Sequence, residues 1–150
     1  MFGGAPEAGT PWKPGEHNGT FRGNNHAFVT AAKALEIYWA DNQFESHIGL
    51  CAEKVSDVIQ RNIKRYPELF LQQKGRGMMI GVECHDGDIS DDITTACFNN
   101  GMVIETAGPN DEVVKFFCPL TITESELEEG LAIFEKSVDQ VAAKHIKKAS

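Results

Sequence analysis

Two long segments of helical period bracket the middle of this chain, and they narrow its possible folds more than any other feature. From about Phe44 to Arg65, the residues Ile48, Cys51, Val55, Val58/Ile59 and Ile63 recur on one face, while Glu53, Asp57, Arg61 and Lys64 take the other. Near the C-terminus, Leu127, Leu131, Phe134, Val138 and Val141 draw a second apolar stripe. Each stripe must be buried against a partner layer. The residues between them offer only short apolar runs of strand length, so the layer they can build is a small sheet.

Those runs are Met78–Cys84, Met102–Glu105 and Glu112–Phe117. His85-Asp86-Gly87-Asp88 reads as a turn, and Asp88 or Ser90 can cap a helix from about Asp91 to Asn99. Asn100-Gly101 ends that helix in a left-handed cap. Thr123-Glu124-Ser125-Glu126 is a capping box that opens the last helix, and Lys144 to Lys148 set positive charge near its C-terminal end. A further helix is predicted from Ala27 to about Ala40, with Phe28, Ala31, Leu35 and Tyr38/Trp39 at helical spacing; Asp41-Asn42 stops it. Tyr66-Pro67 closes the Phe44–Arg65 helix. The predicted fold class is an α+β two-layer sandwich: a three-stranded, mostly antiparallel sheet covered by helices. The organisation reads as a flexible lead-in over residues 1–11, a polar loop over 12–26 and a folded domain over 27–150.

Composition removes several function classes. A net charge of −8 opposes nucleic-acid binding, which needs clustered Lys and Arg. No apolar run approaches membrane-span length, and the N-terminus lacks a basic-then-apolar leader, so a cytoplasmic protein with no membrane contact is expected. The four cysteines, Cys51, Cys84, Cys97 and Cys118, form no CxxC pair and read as reduced thiols. His85 beside Cys84 and Asp86 has no second ligand pair at zinc spacing, so no metal is expected.

One polar stretch carries chemistry. Trp12 to Asn25 holds Gly15, Gly19 and Gly23, three asparagines, the Thr20 hydroxyl and Arg22, and it runs directly into a helix. Glycines admit a ligand close to the backbone, and a helix N-terminus offers free N–H donors with partial positive charge. The stretch is therefore a candidate cradle for one phosphate. The other reading is a polar loop with Asn24 or Asn25 as helix N-cap.

The string Gly19-Thr20-Phe21-Arg22-Gly23-Asn24-Asn25 before an Ala-rich helix resembles the Thr-Phe-x-Gly-Asn segment of class-III pyridoxal-phosphate aminotransferases. The longer run from Pro14 to Asn25 resembles one branch in particular, the diaminobutyrate-forming enzymes of ectoine biosynthesis. The similarity continues through Lys74–Glu83, Gly101–Thr106, Asp111–Lys115 and Pro119–Thr123. It spans about residues 12 to 140 and corresponds to the C-terminal part of such an enzyme. It implies the small C-terminal domain of the fold-type-I pyridoxal-phosphate-dependent transferase fold, and pyridoxal 5'-phosphate as cofactor. It also implies amino acid and 2-oxo acid substrates, with either a homodimer or a large-domain partner chain.

The resemblance also implies residue roles. Thr20, with the backbone of Gly19 and Gly23, matches the segment that reaches the cofactor phosphate of the other subunit. Lys115 stands where many relatives have an arginine that grips the substrate carboxylate; a lysine supplies the charge without the bidentate fork. The alternative for Lys115 is an exposed strand residue. Cys118 replaces the first proline of the family's Pro-Pro-Leu sequence. Arg22 can face a phosphate or substrate carboxylate, or pair with Glu16. Arg76, Glu83 and Glu105 read as structural, and His17 as lining the cofactor mouth. The Schiff-base lysine and the acid at the pyridine nitrogen lie upstream of this segment in the family, and Lys13, in a Trp-Lys-Pro loop, is not offered for that role. No catalytic residue is assigned, and the isolated chain is expected to be inactive. The competing expectation is a catalytically silent dimerisation or small-anion-binding module.

Overall fold

The computed structural model describes Gly19 and residues 22–149, within two compact units that meet between Phe44 and Glu45. The expected lead-in over 1–11 lies outside the described residues, as do Lys13, Glu16, His17 and Thr20 of the polar loop.

In the first unit, helix α1 (Asn25–Tyr38) is opened by Asn24, whose side-chain oxygen accepts from the N–H groups of His26 (2.9 Å) and Ala27 (3.2 Å). Of the two candidate caps, Asn24 takes the position because its backbone is extended (φ −66°, ψ 112°). The helix ends before Ala40, with Trp39 as C-cap. None of its residues is buried, although Phe28, Leu35, Tyr38 and Trp39 share the predicted spacing. Rings of Tyr38 and Trp39 pack on Phe44, with centroids 5.0 and 5.3 Å away.

Helix α2 (Gln43–Arg65) follows, its first N–H held by the Asp41 carboxylate at 2.8 Å. Then come β1 (Phe70–Arg76), β2 (Met79–Cys84), α3 (Gly87–Asn99), β3 (Glu105–Ala107), β4 (Val113–Phe116) and α4 (Glu124–Ala149). The sheet has four strands in the order β1-β2-β4-β3, all antiparallel, where the sequence predicts three. The unforeseen strand is β1. Beyond Phe70 it is mostly exposed and polar, as edge strands are, and so it reads as loop. A two-residue Gly77–Met78 turn pairs it with β2; Gly77 has φ 60°, which suits the first position of a hairpin turn.

Strand alternation sorts the sheet into two faces. Ile80, Val82 and Cys84 of β2, with Val114 and Phe116 of β4, point into one core. There they meet Val55 and Ile59 of α2, Ile93 and Cys97 of α3, and the whole predicted α4 stripe, all of it buried. Helices α2, α3 and α4 thus cover the same face. The opposite face presents Lys74, Gly81, Lys115 and Glu105 as one row of paired residues.

Element boundaries shift furthest from expectation at α3 and β3. Helix α3 begins at Gly87 rather than Asp91, because Asp86, not Asp88 or Ser90, is the cap: its carboxylate accepts from Ile89 N–H at 2.9 Å. The left-handed end is as expected, with Gly101 at φ 98°, its N–H on Phe98 and the Met102 N–H on Cys97. That last bond ties Met102 to the helix, so β3 starts only at Glu105 rather than spanning Met102–Glu105. The capping box forms as predicted: Thr123 N–H donates to the Glu126 carboxylate (3.0 Å), and Glu126 N–H to the Thr123 hydroxyl (3.3 Å).

Candidate functional site

The β3–β4 hairpin positions Lys115, one of the two expected substrate residues. Its register sets Glu105 directly opposite Lys115, and the Lys115 ammonium lies 3.1 Å from Glu105 Oε2. Val114 and Phe116 point into the core, so alternation forces Lys115 onto the uncovered face. Across β4 its neighbour is Gly81, where an added Cβ would lie 2.7 Å from the Val114 carbonyl and 2.8 Å from the Val113 side chain. The chain needs glycine there for the strands to approach.

Lys115 borders a groove of about 340 Å³ with Met102, Val103, Ile104 and Phe117. Its ammonium sits 5.8 Å from the centre of the Phe117 ring, within reach of a weak cation–π attraction. Phe117 also lines a second groove, with Arg76, Met79 and Leu120. Arg76 therefore borders an open apolar surface rather than the Lys115 groove. The loop after β4 is anchored: His47 Nε2 donates to the Ile122 carbonyl (3.0 Å), and Ile122 N–H to the Pro119 carbonyl (3.0 Å). Cys118 is half-buried, and burial pushes its thiol up.

Lys74 and Glu83 of this face are paired with each other. Glu83 accepts from Lys74 (2.7 Å) and Gln72 (2.8 Å), and the Lys74 and Gln72 bonds hold its carboxyl below the usual range. This agrees with a structural role for Glu83. Glu105 also reads as structural in sequence, yet it contacts the candidate site. The signal available was its position just before a turn with Lys115 just after it, which predicts cross-strand pairing only once the register is known.

Of the polar loop, Gly19 and residues 22–26 are described. Arg22 N–H donates to the Gly19 carbonyl at 3.1 Å, and Gly23 takes φ 73° to enter the cap. A side chain on Gly19 would meet Arg22 Cγ at 2.7 Å, so this glycine lets the arginine fold over the turn. Asn24 occupies the His26 and Ala27 donors, so a phosphate here would be held from residues ahead of the cap. Glycine-bracketed backbone leading into a helix N-terminus fits that use; Thr20, the proposed hydroxyl, lies outside the described residues. His85 donates to the Pro67 carbonyl at 3.0 Å, and among the described residues no group of three or more His, Cys, Asp and Glu side chains is disposed to hold a metal. Among them, too, no helix is long and apolar enough to cross a membrane.

An α+β unit that sets a lysine on the uncovered face of its sheet has clear relatives. The family model for class-III aminotransferases matches residues 2–138, and the chain belongs to that family, which is pyridoxal-phosphate-dependent. It is 68% identical over 139 residues to the diaminobutyrate–2-oxoglutarate transaminase of Vibrio parahaemolyticus, covering 93% of this chain and 33% of that one. The corresponding transaminase of Vibrio cholerae is 59% identical over 125 residues, covering 83% of this chain and 30% of its own. Among solved structures, ornithine aminotransferase from Toxoplasma gondii superposes with a TM-score of 0.72 at 26% identity, over 89% of this chain and 31% of that one. Lysine aminotransferase from M. tuberculosis gives 0.71 at 21% identity, over 85% and 29%. The chain thus spans about a third of the length of the relatives it matches.

Proposed function

We propose that this chain acts as the C-terminal portion of a diaminobutyrate–2-oxoglutarate transaminase. The reaction moves an amino group between glutamate/2-oxoglutarate and aspartate semialdehyde/L-2,4-diaminobutyrate. What supports this most is the 68% identity to a transaminase of that specificity, together with a half-buried Lys115 set on the uncovered sheet face. Thr20, with the Gly19 and Gly23 backbone, holds the cofactor phosphate; Lys115 meets a substrate carboxylate as a point charge, and Arg22 offers a second cation. Bound pyridoxal phosphate supplies the carbonyl that takes up the amino group and the electron sink for proton removal. The lysine that carries the cofactor and the acid at its ring nitrogen come from the large domain on this reading. The chain alone is then silent, and its partner is a large-domain chain or a second subunit.

The test is complementation. The 150-residue chain is mixed or co-expressed with the large-domain portion of a relative, and glutamate-dependent amino transfer is measured. Activity only in combination, lost with Thr20→Ala and reduced with Lys115→Ala, is the expected outcome. No gain in any combination counts against the reading.

Helix α1 favours a second reading, a catalytically silent dimerising module, since Phe28, Leu35, Ile37 and Trp39 are all exposed. Size-exclusion chromatography with an absorbance scan after cofactor addition separates the two: a dimer that never takes up cofactor, alone or with a large-domain chain, supports the module.

A further inference from the structure

The loop that leaves β4 at Phe116 and enters α4 at Glu124 is the partition between the two grooves. Phe117 and Cys118 line both, and Pro119 and Leu120 line the second. Its apolar side chains stand open, Phe117 at 68% exposure and Leu120 at 41%, so burial does little to fix them. The loop is closed on itself by the Ile122 N–H on the Pro119 carbonyl at 3.0 Å. Among the described residues, the only hydrogen bond that ties the turn 119–122 to another element comes from α2, where His47 Nε2 lies 3.0 Å from the Ile122 carbonyl. A carbonyl oxygen can only accept, so Nε2 carries the proton and Nδ1 is the bare nitrogen of the neutral ring. Cys51, one helical turn further along α2, backs the imidazole: its sulfur is 3.6 Å from Nε2 and 3.9 Å from Nδ1. The donor is thus half-buried and braced, while the wall it holds is exposed.

We infer that His47 is a positioning residue for transamination: through the Ile122 carbonyl it fixes the loop wall against which the hydrocarbon chain of an amino or 2-oxo acid substrate rests. The inference rests on the reading that the groove beside β4 receives substrate. His47 itself stands on α2, which covers the other face of the sheet, so it acts only through the loop backbone. A wall already in place binds the chain of the acid without first losing the loop's conformational freedom. It meets that chain alike before and during the reaction. Loosening it therefore weakens substrate binding and raises KM, with little change in kcat.

The experiment combines the 150-residue chain with the large-domain portion of a relative and measures initial rates against 2-oxoglutarate for the natural chain, His47→Leu, His47→Asn and His47→Gln. The amide nitrogen of glutamine falls near the place of Nε2 and that of asparagine near Nδ1, so only glutamine still reaches the Ile122 carbonyl. His47→Leu and His47→Asn should raise KM about three- to tenfold, the effect of one lost hydrogen bond, with kcat within about twofold; His47→Gln should keep the natural KM within about twofold. In the 150-residue chain alone, amide exchange at Cys118, Leu120, Thr121 and Ile122 should quicken in the same two variants and not in His47→Gln. An unchanged KM in His47→Leu and His47→Asn, or a fall in kcat with KM unmoved, overturns the inference while the activity of the natural chain upholds the reading beneath it. An equal rise in KM for all three variants overturns it too, since the hydrogen bond would not be what matters. No amino transfer by the natural chain in any combination brings down the underlying reading and this inference with it. Should His47→Leu fail to fold, as judged by its far-UV spectrum, the contrast between glutamine and asparagine decides.

Discussion

Arg61 of α2 and Glu135 of α4 lie 3.1 Å apart across 74 residues of sequence, and the same offset recurs along both helices. Lys54 pairs with Glu128 at 2.6 Å and Arg65 with Asp139 at 2.9 Å; Lys54 also reaches Glu124. A constant offset means the helices run parallel and in register, so one row of basic residues faces one row of acidic ones. Each pair alone is partly exposed and weak; the ladder's main consequence is registry between the two helices that cover the sheet. A double-mutant cycle on Arg61→Ala and Glu135→Ala, read by urea denaturation, should give a coupling of about 0.3–1 kcal/mol that fades at about 1 M salt. No coupling at low salt would remove the ladder from the stability account.

Asp139 should be the costliest member of the row. Besides Arg65, it accepts from the half-buried Tyr66 hydroxyl at 2.7 Å, and Arg65 also stacks over the Tyr66 ring at 4.9 Å. Asp139→Ala leaves that hydroxyl without its acceptor and should cost about 1–2 kcal/mol, more than Glu135→Ala. Matching Tyr66→Phe should recover part of the difference, because it removes the orphaned donor.

Thr123 starts α4, and Glu126 folds back on it. Thr123→Ala removes the acceptor for Glu126 N–H and should cost about 1 kcal/mol, or roughly 2–4 °C in melting temperature for a domain of this size. Thr123→Ser should keep most of it. Equal loss in both variants would point to the threonine methyl rather than the cap.

This cap was legible in sequence because it is local chemistry at fixed spacing, and the α4 stripe was legible because one face of the helix is wholly buried. β1 was not, since an edge strand such as Gln72–Arg76 exposes both its faces and shows no alternation. The start of α3 was missed because three acidic residues and a serine crowd one turn; only the backbone shows that Asp86 is extended (φ −154°, ψ 170°) and can cap. Lys115 was found through resemblance, whereas its pairing with Glu105 depends on a register no single strand encodes. α1 kept its predicted periodicity without burial, so the pattern that usually marks a core face here marks an open one.

Acid should weaken the fold through carboxylates held below their usual range. Asp92 is lowered chiefly by Lys144, which reaches both its oxygens at 2.8 Å, and further by His145. Glu124 is lowered by Lys54, Glu126 by Thr123 and Glu83 by Lys74. A folded-state value below the unfolded one contributes stability that is present above the unfolded value, about pH 4, and is lost as pH falls through the folded value. The urea midpoint should therefore fall progressively below about pH 5, and Asp92→Asn should flatten part of that slope. A midpoint independent of pH across this range would contradict the assignment.

Phe134 ties the covered face to the site. It is fully buried in α4 and meets Phe116 of β4 edge-on, with centroids 4.9 Å apart at 72°. Phe116 is the residue next to Lys115, so the aromatic pair fixes the strand whose other side presents the cation. Phe134→Ala should cost about 3–5 kcal/mol, and Phe134→Leu less, because leucine fills most of the space. If the pair sets β4, amide exchange at residues 113–116 in Phe134→Leu should quicken more than at β1, although the variant stays folded. The Lys115–Glu105 hairpin would then loosen with it, since β3 reaches the rest of the sheet only through β4. Uniform acceleration across all four strands would instead mean that Phe134 stabilises the core as a whole and does not aim Lys115.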